Sequence, residues 1–556
     1  MRHYILVSLL LMGCGGGPTD RPATAGATSS PSPAVEKTPE IAVDSIVQEA
    51  SSRLESSLHF SVFQVKIGKK LAEAVESNPD FLARVKQLRK ELHQEWGFPM
   101  PGVRFRGDSS LKPDEYVVWV REQEVARGRL QLSSPATAQV QSPAEEMATV
   151  LRKLAMMHAA DLYGRQAMLG DVHPGLRQRL LLNNPAQDLT LQNCKKTLRE
   201  KKPLKVDEVA KAALEQRPPS ATSMPSGEIP PAVGLEQLVD LQVFEVRLGS
   251  ALAAQKPTFE KRALSVRQYL ADELGWVMPG ISFVSDPAIA PQEYRVLVQG
   301  TPALKTRLRP NALLAIGNQQ QLAGLKGEST VDPTYGLSAR WISPADQKEA
   351  ERVGCIVFDP VSVWGTQMTE LGRERCAEFF SATHLQASLS ILGPAQDALV
   401  LRLVADPGKL QTLQKVIQNL LADRVPVRDL ELLGELVLNS NSSDADRLSE
   451  SARLLLAPNI LSNLDVEGTV YVVRLGPRLN AALAGQPNKA AVLGRVKQAV
   501  EALKGQRRQP VLVASPQARR ALRRLSAREY PDLVVLSSSE MLPPYRFKTL
   551  RVVDLP

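Results

Sequence analysis

Histidine is the usual carrier of acid–base and metal chemistry near neutral pH, and this chain has six: His3, His59, His93, His158, His173 and His384. They are scattered. Only His158-Ala159-Ala160-Asp161 has ligand-like spacing, because residues three apart share a helical face. A structural zinc site needs four ligands, and no others lie close by. An ordinary surface or half-buried pair accounts for the motif. Gly15-Gly16-Gly17 precedes no helical pattern, so it reads as flexible chain rather than a phosphate cradle. No Gly-x-Ser-x-Gly nucleophile elbow is present. These residues predict no catalytic constellation, no metal and no cofactor, and the expected class is a non-enzymatic binding protein.

The strongest charge cluster is Arg519, Arg520, Arg523 and Arg524, followed by Arg528. Steps of four put Arg519 and Arg523 on one helical face. One reading is a basic face for an acidic partner, lipid head groups or nucleic acid. The other is a solvated face balanced by Glu529 and Asp532. Interleaved aromatic residues are missing, so no nucleic-acid partner is expected. The formal net charge of +9 over 556 residues is modest and demands no acidic partner.

Cys14 has a different chemistry. Arg2 and His3 precede an apolar run, Tyr4 to Met12, which ends in Leu11-Met12-Gly13-Cys14. The run is too short to span a bilayer and has the layout of a secretory signal. A small residue before a cysteine resembles the bacterial lipoprotein processing signal, which implies acylation of Cys14, a membrane anchor, and a bacterial-envelope lipoprotein facing the periplasm. A signal peptide that merely contains a cysteine is the alternative. Residues 15–39 are rich in Gly, Pro, Ser, Thr and Ala and read as a leash, with an r.m.s. reach of about 25–30 Å. Cys194, Cys355 and Cys376 remain. An exported chain could pair two of them, but small buried residues are the favoured reading.

The elements that position these groups form a repeat. Gly97, Met100, Pro101, Gly102, Glu115 and Tyr116 return 178 positions later (294 − 116) as Gly275, Met278, Pro279, Gly280, Glu293 and Tyr294. Phe63, Val65 and Ile67 alternate with polar residues, as do Phe244, Val246 and Leu248, predicting half-buried strands. Phe81, Val85, Leu88, Leu92 and Trp96 form a helical stripe, mirrored by Phe259, Ala263, Val266, Leu270 and Leu274. Gly97 and Gly275 should cap those helices. Further on, Thr149 matches Thr366 at an offset of 217, so the second copy carries 39 extra residues (217 − 178). They include Val331-Asp332-Pro333-Thr334-Tyr335-Gly336-Leu337 and predict an inserted subdomain.

The predicted fold is therefore mixed α/β and α, multidomain, with a duplicated small α/β subdomain. The boundaries are a signal peptide at 1–13, a linker at 14–44, the first copy with a helical tail at 45–200, and a linker at 201–234. The second copy with its insertion follows at 235–405, then a helical subdomain at 406–465 and a C-terminal α/β subdomain at 466–556. Trp341 and Trp364 are expected in the core.

From about Leu235 onward the chain resembles the cytoplasmic domain of the FHIPEP family, the flagellar and virulence type III secretion export-gate proteins. The motifs that carry the resemblance are Glu273-Leu274-Gly275-Trp276-Val277-Met278-Pro279, Val331 to Leu337, Val425-Pro426-Val427-Arg428-Asp429-Leu430 and Pro531 to Ser537. The resemblance implies a four-part platform that assembles as a homo-oligomeric ring and receives chaperone–substrate complexes in a cleft. Its cleft residues correspond to Asp332, Tyr335 and Thr366. Asp-Pro-Thr-Tyr-Gly is also good turn chemistry, so shaping the subdomain is an equal reading of Asp332 and Tyr335. If Tyr335 is a docking contact, Tyr335→Ala should leave stability nearly unchanged. The expected function is protein docking in a secretion assembly, with secretion components or chaperone–substrate-like proteins as partners. The alternative is an envelope structural or interaction lipoprotein that reuses the fold without a role in type III export.

Overall fold

Phe63, Val65 and Ile67 point to one side of β1 (Phe63–Ile67) and are buried there, as the alternation predicts. The computed structural model describes residues 61–130, 142–216 and 242–556, apart from short stretches within 165–183 and 391–396 and at 465–468, 486–487, 506–509, 544 and 556. The signal peptide, Cys14 and the leash lie outside the described residues.

In the first unit, β1 pairs in parallel with β2 (Val103–Gly107) and antiparallel with β3 (Glu115–Val120), and β4 (Gln123–Arg129) completes the order β2-β1-β3-β4. Helices α1 (Lys69–Ser77) and α2 (Pro79–Trp96) connect β1 to β2. Asn78 caps α2, and Gly97 at φ 60° ends it. Helices α3 (Pro143–Met157), α4 (Ala159–Leu162), α5 (Asn184–Arg199) and α6 (Val206–Gln216) follow.

The second unit repeats this plan with β5 (Gln242–Leu248), α7 (Ser250–Ala253), α8 (Lys256–Leu274), β6 (Gly280–Ser285), β7 (Glu293–Val298) and β8 (Thr301–Arg307), in the order β6-β5-β7-β8. Local contacts repeat as well. Arg89 donates from Nε to the Met100 carbonyl at 2.9 Å, and Arg267 does so to Met278 at 2.8 Å. The insertion is a separate antiparallel sheet, order β10-β11-β9-β12. It consists of β9 (Leu313–Ile316), α9 (Gln319–Ala323), β10 (Glu328–Val331), β11 (Ser338–Ile342), α10 (Gln347–Arg352) and β12 (Ile356–Phe358).

The helical part comprises α11 (Pro360–Phe379), α12 (Ala382–Ser390), α13 (Asp397–Ala405), α14 (Pro407–Ala422), α15 (Leu430–Asn439) and α16 (Ala445–Ser462). A parallel sheet closes the chain, order β15-β14-β13-β16, from β13 (Thr469–Leu475), β14 (Val511–Ala514), β15 (Val534–Ser537) and β16 (Arg546–Val553). Its helices are α17 (Pro477–Ala484), α18 (Lys489–Gly505) and α19 (Pro516–Ser526).

The duplication runs further than the letters suggested: of the linker expected at 201–234, residues 201–216 belong to the folded unit, and 217–234 lie outside the described residues. The Leu204 amide donates to the Trp96 carbonyl at 2.7 Å, and the Val427 amide to the Leu274 carbonyl at 2.9 Å, 223 positions later (427 − 204). Lys201 and Arg424, at the same spacing, both have positive φ, 53° and 57°. Helices α5 and α6 are thus the counterparts of α14 and α15. Pro203 looked like linker chemistry, but like Pro426 it lies in an irregular segment that crosses a capped helix end. The first unit extends at least to residue 216 and already includes counterparts of α14 and α15.

The buried apolar residues explain how these parts hold together. The first unit has a core of its own, from Phe63 to Leu214. The second unit shares one continuous core with the insertion, the helical part and the inner face of the C-terminal sheet. Trp364 is fully buried and Trp341 is 9% exposed, both within that shared core. Cys194, Cys355 and Cys376 are buried free thiols.

Candidate functional site

The loop between β10 and β11 is built by its own aspartate. The Asp332 carboxylate accepts the Tyr335 amide at 2.6 Å, and its carbonyl accepts the Gly336 amide at 2.9 Å. Gly336 takes φ 65°, where a side chain would be strained. Asp332 is only 4% exposed, and burial pushes its carboxyl above the usual range, against the opposing amides of Tyr335 and Thr334. Its acid group shapes the turn rather than facing solvent.

Helix α11 holds this loop in place. Gln367 donates from Nε2 to the Pro333 carbonyl at 3.2 Å and accepts from the Tyr294 hydroxyl. Thr366, one residue earlier, returns its hydroxyl to the Ser362 carbonyl at 3.0 Å and is 7% exposed. The three residues implied by the resemblance are therefore brought to one region, the loop and the first half of α11. Asp332 and Thr366 have their polar groups turned inward. The half-buried Tyr335 ring and Val331, 61% exposed, form the outer lip.

Tyr335 is also an anchor. Its hydroxyl donates to Glu370 Oε1 at 3.0 Å. Glu370 pairs with Arg373 and, at 3.4 Å, with Arg424. Arg373 reaches Glu273 at 2.9 Å and the Tyr269 hydroxyl at 3.0 Å, and Arg424 reaches Asp532 at 2.9 Å. Burial opposes ionisation of Glu370, but Arg373 and Arg424 outweigh it and hold the carboxyl below its ordinary value. This network ties together α8, the inserted loop, α11, the end of α14 and the approach to β15. Sequence reasoning missed it, because its members come from all four parts of the second half. Because the phenol closes a charged cluster, Tyr335→Ala is now expected to cost stability, unlike the nearly silent change expected of a docking contact alone.

Neither reading of the α19 arginines, a basic face or a solvated one, describes Arg519 and Arg523. Arg519 is 2% exposed and Arg523 is 7% exposed. Arg519 lies 2.7 Å from Asp423 and also grips Glu450, while Arg523 donates to the Leu533 carbonyl at 2.9 Å. Arg520 pairs with Asp446, and only Arg524 and the neighbouring Arg528 are exposed. The helix turns its arginines inward because Asp423 and Glu450 lie on the helical part it packs against. Arg453 belongs to the same cluster, paired with Glu540 at 2.7 Å. His158 lies 3.6 Å from Asp161. Among the described residues no group of three or more His, Cys, Asp or Glu could hold a metal ion, and no helix is long and apolar enough to cross a membrane.

The family model described as FHIPEP matches residues 5–162 and 188–546. The chain belongs to the FHIPEP family. The flagellar biosynthesis protein FlhA of Bacillus subtilis is similar at 28% identity over 341 residues, 57% of this chain and 50% of that protein. FlhA of Caulobacter vibrioides is 31% identical over 321 residues, 54% of this chain and 45% of that protein. The chain thus spans about half the length of the curated relatives it matches. Among solved structures, the Chlamydia pneumoniae CdsV protein superposes with a TM-score of 0.51 at 20% identity, covering 56% of this chain and 98% of that one. That likeness establishes the mixed α/β multidomain fold.

Proposed function

We propose that this FHIPEP-family chain is a non-enzymatic docking platform in a protein-secretion assembly, and that partners engage the lip formed by Val331 and Tyr335. The observation that carries this reading is the loop at 332–337. A buried carboxylate fixes its shape, Gln367 and Glu370 pin it to α11, and an exposed valine and a half-buried tyrosine stand at its edge. Rigid aromatic and apolar groups on a preorganised base are what protein docking favours, because little entropy is lost on binding. In this reading Asp332 and Thr366 position the lip rather than touch the partner.

The Cys14 lipid anchor and a periplasm-facing location belong to the same proposal and rest on the leader pattern alone. A photo-crosslinking residue at Val331, in membranes of the native host, tests the docking role. Crosslinks to type III export components or their chaperone–substrate complexes are expected. Crosslinks confined to cell-wall or other envelope proteins would favour the second reading, an envelope lipoprotein that reuses this fold. Palmitate labelling that persists in Cys14→Ser would overturn the anchor without touching the docking lip.

A further inference from the structure

The two units meet through charge. The first unit's core and the large shared core are separate, and ion pairs link the units. Arg121, at the tip of the β3–β4 hairpin, lies 2.6 Å from Asp429, and Glu122 lies 2.6 Å from Arg428. Arg106 of β2 faces Asp272 at 3.4 Å. Arg121 is preset for this role, since its Nε donates to the Asp161 carbonyl of its own unit at 2.6 Å.

The tip is conformationally costly. Arg121 and Glu122 take φ of 45° and 64°, the two-residue turn that Asn-Gly or Gly-Gly makes with little strain. Each side chain in that region costs roughly 1–2 kcal/mol. The second unit makes the same turn, 178 positions later, with Gln299 and Gly300 at φ 49° and 78°. So the same hairpin exists in a cheap, uncharged form in this very chain, and the first unit carries a strained, charged one where it meets Arg428 and Asp429.

The receiving corner is also duplicated. Arg428 and Asp429 correspond, 223 positions earlier, to Lys205 and Val206. Val206 is buried and Lys205 pairs locally with Glu208 at 3.0 Å, so that corner lacks the Arg–Asp pattern. A tip on one unit contacting a corner on its homologue is a head-to-tail contact, the kind that repeats when every copy carries both halves. Here each half exists in charged form once.

We propose that the Arg428–Asp429 corner is a docking site for the hairpin tip of an α/β unit, filled in cis by Arg121–Glu122. The partner it fits in trans is the same tip on a second copy of the chain, and the uncharged Gln299–Gly300 tip keeps copies from joining end to end through this site. This stands independently of the export reading.

Full-length variants test it by small-angle scattering and sedimentation velocity at moderate salt. Arg121→Gln with Glu122→Gly installs the second unit's relaxed turn, so folding is preserved. The radius of gyration should rise and the sedimentation coefficient fall as the first unit leaves its seat. Salt alone should not open wild type, because partly buried pairs are screened far less than exposed ones. Glu122→Arg should open the chain, and adding Arg428→Glu should close it again. Moving the key, with Arg121→Gln and Glu122→Gly combined with Gln299→Arg and Gly300→Glu, should produce concentration-dependent species of twice the mass or more. Unchanged scattering for the relaxed turn, or a swap that fails to restore compactness, would overturn the docking site. A moved key that stays monomeric would overturn the trans contact.

Discussion

Arg519→Ala separates a buried clamp from a basic surface. The guanidinium is 3% exposed at the side chain and bridges Asp423 at 2.7 Å and Glu450. Breaking a buried pair by removing one partner costs about 3–5 kcal/mol, because a charge is left uncompensated. The geometry here selects the lower end. Asp423 keeps Arg453 at 3.2 Å and Arg523 at 3.7 Å, so it is not orphaned. Glu450 is 30% exposed at its side chain and can recover water. The expected loss is therefore about 3 kcal/mol, with Arg519→Met losing less, because the methionine retains the aliphatic packing of the stem. Arg524→Ala, on the exposed side of the same helix, should stay within about 0.5 kcal/mol. Urea unfolding followed by circular dichroism measures all three, with the midpoint reporting stability where the slope is unchanged. If Arg519→Ala and Arg524→Ala were equally mild, and both weakened retention on a polyanion column, the clamp would be wrong and α19 would be a basic binding face after all.

Two other outcomes follow from buried polar groups. His384 is 2% exposed and stacks on Trp276, and burial lowers its pKa to about 4 from an ordinary 6.5. The unfolded chain then takes up a proton below pH 6.5 while the native chain does not until about pH 4, so stability falls across that window as pH drops. Between pH 7 and pH 5 the loss is about 2 kcal/mol, read by urea unfolding with Trp fluorescence; a His384→Gln variant with the same pH slope would refute the assignment. Tyr335→Phe removes only the hydroxyl bonded to Glu370 and should cost about 1–2 kcal/mol, while Tyr335→Ala should cost more. A thermal midpoint unchanged by either would show that the phenol does not brace the network.

The repeat was legible because its apolar residues fall on clean periods and its matching residues on one offset, and the insertion because that offset grows by 39 residues (217 − 178). The C-terminal α/β subdomain was expected at 466–556, and the parallel sheet of β13 to β16 lies within those bounds. What the sequence concealed has physical reasons. Strands β4 and β8 are polar edge strands that bury no side chain fully, so no alternation marks them. The same holds for β16, where only Val553 is buried. Helix α11 is buried nearly all round, with Gly365 and Gly372 admitting Arg262 and Leu270 close to its backbone, so no single stripe reveals its face. At the site, the Asp332 turn was readable from Asp-Pro-Thr-Tyr-Gly. The partners of Tyr335 were not, since Glu370, Arg373 and Arg424 announce nothing of each other by spacing.

The division between apolar and ionic contacts orders the molecule. The second unit, the insertion, the helical part and the inner C-terminal sheet share one core, so moving any one of them exposes apolar surface and is costly. The inserted loop therefore rides on a rigid body, and the Tyr335–Glu370 network locks its orientation to three neighbouring parts. The first unit keeps its own core and meets that body through ion pairs that are largely shielded from water, with the Asp429 side chain 4% exposed and Glu122 20% exposed, so removing one partner is costly. Asp429 serves both sides of this seam, capping α15 through the Leu432 amide at 3.1 Å while holding Arg121. Opening the seam thus leaves the helix cap intact. The rigid half keeps its shape with or without the first unit, so a change at the seam alters what the corner meets rather than how the docking lip is built.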